Sequence, residues 1–278
     1  MRDEDPSMAQ LIDKNKIYDT AAGALWHLAV YEPVHGGREF TNMAGAALLD
    51  SISAQFDLGA GDHVLELCSG TGEVCRYLAT RRACTITGVE LNSAQLRHAR
   101  LKHRDLPTKV RKRVRYVQGD VTTWLPDRRS DLVIAVDSLA LLSKPKLALG
   151  VAYEALLPGG HLAFADILAG PRLSPEVRAQ TWEYDGIRPL PQPEDTAATI
   201  ADLGFQDVRF ADISNAAVAC FRAISGALTS KRLAIESVCT AEEYRHWRES
   251  TEFYVDSFAS GELTYWRYTA RHPRNVEK

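Results

Sequence analysis

A turn of small residues follows the first apolar run of the chain and has the composition of a ligand-binding turn. Residues 64–67 read Val-Leu-Glu-Leu, and residues 68–72 read Cys-Ser-Gly-Thr-Gly. Glycine at such a turn lets the backbone approach a ligand closely, because glycine lacks a Cβ atom and tolerates positive φ. The helical pattern that begins at Glu73 would add backbone N–H donors and a favourable dipole at its N-terminus. The turn therefore predicts contact with a small ligand.

Acidic residues close three later apolar runs, and their positions favour one shared site. Glu90 ends the second run, Asp120 follows the third and Asp137 follows the fourth. Ligands of open α/β sheets bind at the carboxyl ends of parallel strands, so we expect these acids to meet at one edge of a sheet. An acid at the end of the second strand can accept hydrogen bonds from ribose hydroxyls. The pattern therefore favours a ligand that contains a nucleoside.

The elements that would position these residues alternate between strands and helices. Short apolar runs predict strands at 64–67, 85–91, 114–119, 132–136, 161–167, 208–213 and 263–271. Helical patterns predict helices at 73–82, 93–102, 147–156, 197–203 and over most of 216–259. Alternation of this kind implies a mostly parallel sheet with right-handed crossovers.

The composition is that of an ordinary globular protein and disfavours several classes. The 278 residues carry a net charge of −3, which gives no general field for attracting nucleic acid or an anionic membrane. No apolar run approaches the roughly 18 residues that span a bilayer. The polar N-terminus lacks the pattern of a secretory signal. We therefore expect a cytoplasmic protein that binds neither nucleic acid nor a membrane.

The cysteines lack the paired spacing of a structural metal site. Their number is odd, so we expect buried reduced thiols and no bound metal. The five are Cys68, Cys75, Cys84, Cys220 and Cys239.

A nicotinamide-dependent enzyme is the first alternative for the turn at 68–72. Its fingerprint is G-x-G-x-x-G, and here Cys75 stands where the third glycine is expected. Glu66, just before the glycines, would repel a pyrophosphate and suits a cationic ligand better. A doubly wound fold whose ligand site has decayed is a second alternative.

Several segments resemble the motifs of class I S-adenosylmethionine-dependent methyltransferases. These segments are VLELCSGTG, QGDVTTWLP, SDLVIAVDSL and LLPGGHLAFADI. GVELNSAQLRHAR is similar to the second-strand motif of a small-molecule subgroup that includes cyclopropane synthases, tocopherol-type methyltransferases and antibiotic-sugar methyltransferases. The resemblance covers roughly residues 60–170 and continues more weakly to the last two strands.

The resemblance implies a Rossmann-like α/β fold with a mostly parallel seven-stranded sheet, helices on both faces and a helical lid. We expect residues 1–56 to form an N-terminal helical lid segment. Residues 57–278 would form the methyltransferase domain, with helical insertions at about 172–196 and 216–259.

The resemblance also implies that the strand ends hold S-adenosylmethionine. At its methionine and sulfonium end would lie Glu66, Cys68, Gly70, Gly72, Asp137 and Ser138. At its adenosine end would lie Glu90, Leu91, Gln95, Gly119, Asp120 and Val121. Glu90 would accept hydrogen bonds from the ribose hydroxyls, and Asp120 would accept one from the adenine amino group.

Histidine and aromatic residues are concentrated in residues 17–40, which resemble the lid of the same subgroup. On this resemblance Tyr18 would lie near the cofactor, and His35 near the cofactor or the substrate. A base is needed when a hydroxyl is methylated, and the candidates are His27, His35 and Asp166. Several O-methyltransferases of the subgroup have a histidine just after the fourth strand, where this chain has Ala-Leu-Leu at 140–142.

The expected function is methyl transfer to nitrogen or oxygen, with carbon possible, in a small and partly apolar metabolite. Natural-product biosynthesis, including antibiotic biosynthesis, is the expected setting for a transferase of class EC 2.1.1.-. A protein that binds the cofactor but catalyses a different step, such as a cyclisation, is the main alternative, ahead of an NAD-dependent oxidoreductase. The chain is expected to act as a monomer or a homodimer.

Overall fold

A single seven-stranded sheet organises the molecule. The structure is a computed structural model that describes Val34, residues 42–187 and residues 190–274. Its strands are β1 (His63–Leu67), β2 (Thr85–Glu90), β3 (Val114–Gln118), β4 (Ser130–Val136), β5 (Leu156–Ala169), β6 (Gln206–Asp212) and β7 (Leu263–Arg271). Their order across the sheet is β3-β2-β1-β4-β5-β7-β6. Among these seven strands, six run in one direction and β7 runs in the opposite direction between β5 and β6. The predicted mostly parallel sheet is therefore confirmed.

Helices cover both faces of this sheet. They are α1 (Gly45–Gln55), α2 (Glu73–Arg81), α3 (Ser93–Arg104), α4 (Thr108–Arg111), α5 (Pro145–Ala155), α6 (Pro175–Asp185), α7 (Pro193–Asp202), α8 (Ser214–Ser230), α9 (Arg232–Glu236) and α10 (Ala241–Ser260). Within the described ranges, no helix combines the length and the apolar composition that a membrane span requires.

The apolar residues form a core layer on each side of the sheet. Leu49 of α1 and Leu78 of α2 pack on one face, and Leu149 of α5 and Ile200 of α7 pack on the other. Every residue of β1 is buried, as expected for a central parallel strand that is covered on both faces. This burial explains why the first and fourth strands read as short, almost wholly apolar runs.

The last two strands are separated by a helical segment that begins and ends at the carboxyl edge of the parallel strands. β6 ends at Asp212, α8 to α10 follow, and β7 then starts at Leu263 and runs back between β5 and β6. The helical pattern predicted over 216–259 corresponds to these three helices. The predicted division at residue 56 stays a prediction, and α1 on its N-terminal side contributes fully buried residues to the core.

The segments that follow β5 and α10 cross so closely that only glycine fits at position 170. A Cβ atom added to Gly170 would lie 2.1 Å from the carbonyl oxygen of Gly261. The Gly170 amide also donates to the Glu262 carbonyl oxygen at 2.8 Å, so the two backbones are joined there. This crossing fixes the start of β7 against the end of β5.

We predict that Gly170→Ala lowers the free energy of unfolding by about 1–3 kcal/mol, because the added methyl group forces the two backbones apart. Gly150→Ala is the matched control, since Gly150 lies within α5 and its added Cβ would meet nothing within 4 Å. That control should raise stability by up to about 1 kcal/mol through helix propensity. Urea unfolding of both variants measures the difference, and equal stabilities would contradict the close crossing.

Candidate active site

The turn between β1 and α2 has the left-handed backbone that its glycines predict. Gly70 has φ of 52° and Gly72 has φ of 76°. A Cβ atom on Gly72 would lie 2.3 Å from the hydroxyl oxygen of Tyr116, which donates to the Gly72 carbonyl at 3.2 Å. Cys68 also has positive φ, at 55°, although it carries a side chain. The close approach at Gly72 therefore excludes any larger residue.

Glu90 connects the end of β2 to this turn. Its carboxylate accepts the Gly70 amide at 2.8 Å on one oxygen and the Asn92 amide at 2.8 Å on the other. Asn92 in turn caps α3 by accepting the amides of Ala94 and Gln95. Burial raises the pKa of Glu90 above its ordinary value, and the backbone donors oppose that rise. A carboxylate has about four acceptor sites, so Glu90 can still accept from a ligand hydroxyl beside these backbone donors.

Glu66 is enclosed in the sheet directly below the turn. It is 4% exposed, and its carboxyl group accepts the thiol hydrogen of Cys75 at 2.8 Å. Burial raises the pKa of Glu66 to about 8. The group is therefore mostly neutral at pH 7, and an approaching cation would favour its ionised form. This behaviour suits a ligand that carries an ammonium group.

The cysteines at this site are not activated nucleophiles. Burial raises the pKa of the Cys68 thiol well above its ordinary value, and burial together with Glu66 does the same for Cys75. A thiol with a raised pKa stays protonated at neutral pH. Cys75 can therefore act as a hydrogen-bond donor to Glu66.

Asp137 stands in the left-handed region at the end of β4, with φ of 51°. One carboxylate oxygen accepts the Tyr265 hydroxyl at 2.6 Å, and the other accepts the Met43 amide at 2.8 Å. Burial raises the pKa of Asp137 to about 7, and the nearby charge of Asp166 adds to that rise. The side chain thus joins three distant parts of the chain at the expected sulfonium end of the site.

Asp166 shapes the turn that follows β4. Its carboxylate accepts the amides of Ser138 at 3.2 Å, Ala140 at 3.0 Å and Ile167 at 2.9 Å. It is 3% exposed, and burial raises its pKa to about 6 against the effect of these donors. The short 3-10 turn Leu139–Leu141 therefore rests on this carboxylate. The role of Asp166 as a base stays a prediction.

The residues expected at the adenosine end lie side by side at the ends of β2 and β3. The Gly119 amide donates to the Glu90 carbonyl at 3.1 Å, which joins the two strand ends. Asp120 is exposed and accepts the Thr122 amide at 2.8 Å. Val121 is buried, whereas Leu91 is 56% exposed and presents an apolar surface beside Glu90.

The other residues predicted to contact the cofactor are Gln95 and Ser138, which lie next to those already described, and Tyr18. The side-chain oxygen of Gln95 would lie 2.9 Å from a Cβ atom added to Gly70, which places Gln95 against the turn. Ser138 is 5% exposed and lies in the turn that Asp166 supports. Tyr18, His27 and His35 lie outside the described residues, so their roles stay predictions.

Aromatic side chains of the helical segment pack into the core on one face of the sheet. Phe221 of α8 stacks on Tyr254 of α10 with ring centroids 4.7 Å apart, and Phe258 packs beside them. Tyr254 and Phe258 are 3% and 4% exposed and belong to the same core cluster as Ala140 and Tyr265. These rings therefore help to fix the helices of this segment on the sheet. Among the described residues, no group of three or more His, Cys, Asp or Glu side chains could hold a metal ion.

Sequence reasoning missed three donors that complete the site, which are Met43, Cys75 and Tyr265. Tyr265 lies 128 residues from Asp137 along the chain, and Met43 lies 94 residues from it. Contacts over such distances leave no local pattern. Cys75 was read only as a departure from a glycine fingerprint, although its spacing of nine residues from Glu66 spans one strand–turn–helix unit.

Comparison with known proteins identifies one domain and one fold. Residues 64–160 match the model of a methyltransferase domain. The chain is 24% identical over 196 residues to the O-methyltransferase resE of Aspergillus sclerotiorum, which covers 70% of this chain and 73% of that protein.

Solved structures share the fold at low sequence identity. Phosphoethanolamine N-methyltransferase 2 of Haemonchus contortus, in complex with phosphomonomethylethanolamine and S-adenosylhomocysteine, superposes with a TM-score of 0.81 at 17% identity. That match covers 96% of this chain and 61% of the nematode chain. The [4+2]-cyclase SpnF superposes with a TM-score of 0.76 at 20% identity and covers 94% and 96% of the two chains.

We predict that Glu90→Gln weakens the binding of S-adenosylmethionine by about ten- to a hundredfold. The substitution removes the negative charge, and hydrogen bonds to charged groups contribute about 1.5–3 kcal/mol. Glu154→Gln is the matched control, because Glu154 is exposed on α5 and outside the site. Calorimetric titration of both variants, with melting temperatures to verify folding, measures the effect. Equal affinity of the two variants for S-adenosylmethionine would show that Glu90 does not contact the ligand.

Proposed function

We propose that this chain, which belongs to the class I S-adenosylmethionine-dependent methyltransferases, methylates a nitrogen or oxygen atom of a small and partly apolar metabolite. Carbon is a further possible acceptor atom. Natural-product biosynthesis is the proposed setting, and the proposed partner is the small-molecule acceptor itself.

The observation that carries this proposal is the presence of buried acids and an exposed apolar side chain at one edge of the sheet. Glu66 and Glu90 provide acceptors for the charged and ribose ends of the cofactor. Leu141, in the turn after β4, is 51% exposed and provides apolar surface at the same edge. This exposed apolar side chain supports a partly apolar acceptor.

Methyl transfer requires the protein mainly to position the cofactor and the acceptor. S-adenosylmethionine supplies a methyl group on a sulfonium, which is a very good leaving group. The protein then has to hold the acceptor atom in line with the methyl group and exclude water. Glu66 would hold the ammonium group, Glu90 the ribose hydroxyls, and the turn supported by Asp166 would form the floor of the acceptor side.

The acceptor atom decides whether a base is needed. A hydroxyl has to lose its proton during transfer, whereas a neutral amine offers a lone pair. The similarity to the fungal O-methyltransferase supports oxygen, and the fold shared with phosphoethanolamine N-methyltransferase supports nitrogen. His27, His35 and Asp166 are the proposed bases if the acceptor is a hydroxyl.

A second candidate function is cofactor binding without methyl transfer. The likeness to the cyclase SpnF over nearly the full length of both chains favours this candidate. The turn after β4 also carries Ala140, Leu141 and Leu142, none of which can move a proton. A cyclisation would leave the cofactor unchanged, so the two candidates have different products.

We predict that the protein forms S-adenosylhomocysteine when it is mixed with S-adenosylmethionine and a panel of apolar phenols and amines. Mass spectrometry should find a product heavier by one methyl group in place of one hydrogen. Glu90→Gln should give less product at limiting cofactor, and Glu154→Gln should match the parent protein. Cofactor binding without any S-adenosylhomocysteine across the panel would favour the non-methylating candidate. Isomerisation of a polyene at constant mass would identify a cyclase.

A further inference from the structure

We propose that Tyr265 is a positioning residue for methyl transfer, because its hydroxyl fixes the Asp137 carboxylate that also holds the backbone at Met43. The inference rests on the proposed function. It adds a residue of the last strand to a site that otherwise comes from the first five strands.

Rigid elements fix the place of the Tyr265 hydroxyl. The residue is fully buried, and its backbone pairs with Ile167 of β5 directly beside Asp166. Its amide donates to the Ser214 hydroxyl at 2.9 Å, and its carbonyl accepts the Ile213 amide at 2.8 Å. The side chain therefore projects from a point that is tied both to the sheet and to the start of α8.

The hydroxyl supports a carboxylate in a demanding position. Asp137 has φ of 51°, a left-handed conformation that residues with a side chain rarely adopt. Its two oxygens accept Tyr265 at 2.6 Å and the Met43 amide at 2.8 Å, and both donors favour the ionised form. Loss of the hydroxyl would leave one donor to balance the burial of that charge.

Burial and the charge of Asp166 act against ionisation of Asp137, whereas the Tyr265 hydroxyl and the Met43 amide favour it. Among the described residues, Asp166 of β5 adds a like charge near Asp137. Cys220 of α8 lies near Tyr265, and Cys68 at the end of β1 lies near Asp166. Burial and the adjacent carboxylate keep the pKa of Tyr265 well above its ordinary value, so the phenol remains a donor at neutral pH.

Tyr265→Phe should therefore move the acidic limb of the kcat/KM profile upwards. Without the phenol, Asp137 ionises at a pH about one unit higher, because a hydrogen bond that favours the charged form is lost. Activity at pH 6.5 should fall by about tenfold and should recover towards the parent value at pH 8.5. Hydrogen exchange at the Met43 amide should become faster over the same pH range.

Tyr268→Phe is the matched control. Tyr268 lies on the same strand, is also fully buried and donates its hydroxyl to the Pro193 carbonyl at 2.9 Å. It loses one buried hydrogen bond on the other face of the sheet, so the pH profile and Met43 exchange should match those of the parent protein. This control separates a general loss of stability from an effect on Asp137.

Two readouts keep this inference distinct from the proposed function. If the parent protein methylates an acceptor and Tyr265→Phe keeps the same acidic limb, the inference is overturned. If the parent protein binds S-adenosylmethionine but methylates nothing, the proposed function fails. Hydrogen exchange at the Met43 amide then tests whether Tyr265 fixes the Asp137 carboxylate. The inference is also overturned if hydrogen exchange at the Met43 amide is unchanged in Tyr265→Phe. It is overturned as well if Tyr268→Phe accelerates this exchange as much as Tyr265→Phe does.

Discussion

The constraint that governs this molecule is the burial of several carboxyl groups at one edge of a parallel sheet. Glu66, Glu90 and Asp166 are each less than a tenth exposed, and burial raises the pKa of all three. A buried carboxylate is costly unless donors satisfy it. The backbone supplies most of these donors, so the conformations of the strand-end turns and the charges of the acids depend on each other.

The acids therefore differ in how much capacity they have left for a ligand. Asp166 accepts two amides of the turn after β4 and one of its own strand, and its main effect is on the shape of the backbone. Glu90 accepts one amide on each oxygen and retains room for hydroxyl groups. Glu66 has a thiol as its donor and is neutral for much of the pH range. The same edge of the sheet therefore has two kinds of acceptor. Glu66 suits a cationic group, and Glu90 suits the hydroxyl groups of a ribose.

The sequence predicted the sheet and the strand-end acids because both follow from local patterns. Short apolar runs mark strands that are covered on both faces, and Glu90, Asp120 and Asp137 stand where such runs stop. The partners of the acids were not predictable in this way. Tyr265 meets Asp137 only because β7 inserts beside β5, and the amides of Ser138 and Ala140 reach Asp166 only because the turn after β4 folds against β5. Topology, rather than composition, decides such contacts.

The inserted position of β7 also has a consequence for the order of folding. β6 precedes β7 in the chain but pairs only with β7, and Thr264 of β7 contacts Leu168 at a sequence separation of 96 residues. Until β7 has been synthesised, the edge of β5 and the whole of β6 expose unpaired backbone groups, which promote association between chains. Pairing over such separations is slow. A ribosome that stalls before residue 263 would release a chain with its glycine turn complete and two open sheet edges, which makes the late strand the step at which solubility is decided.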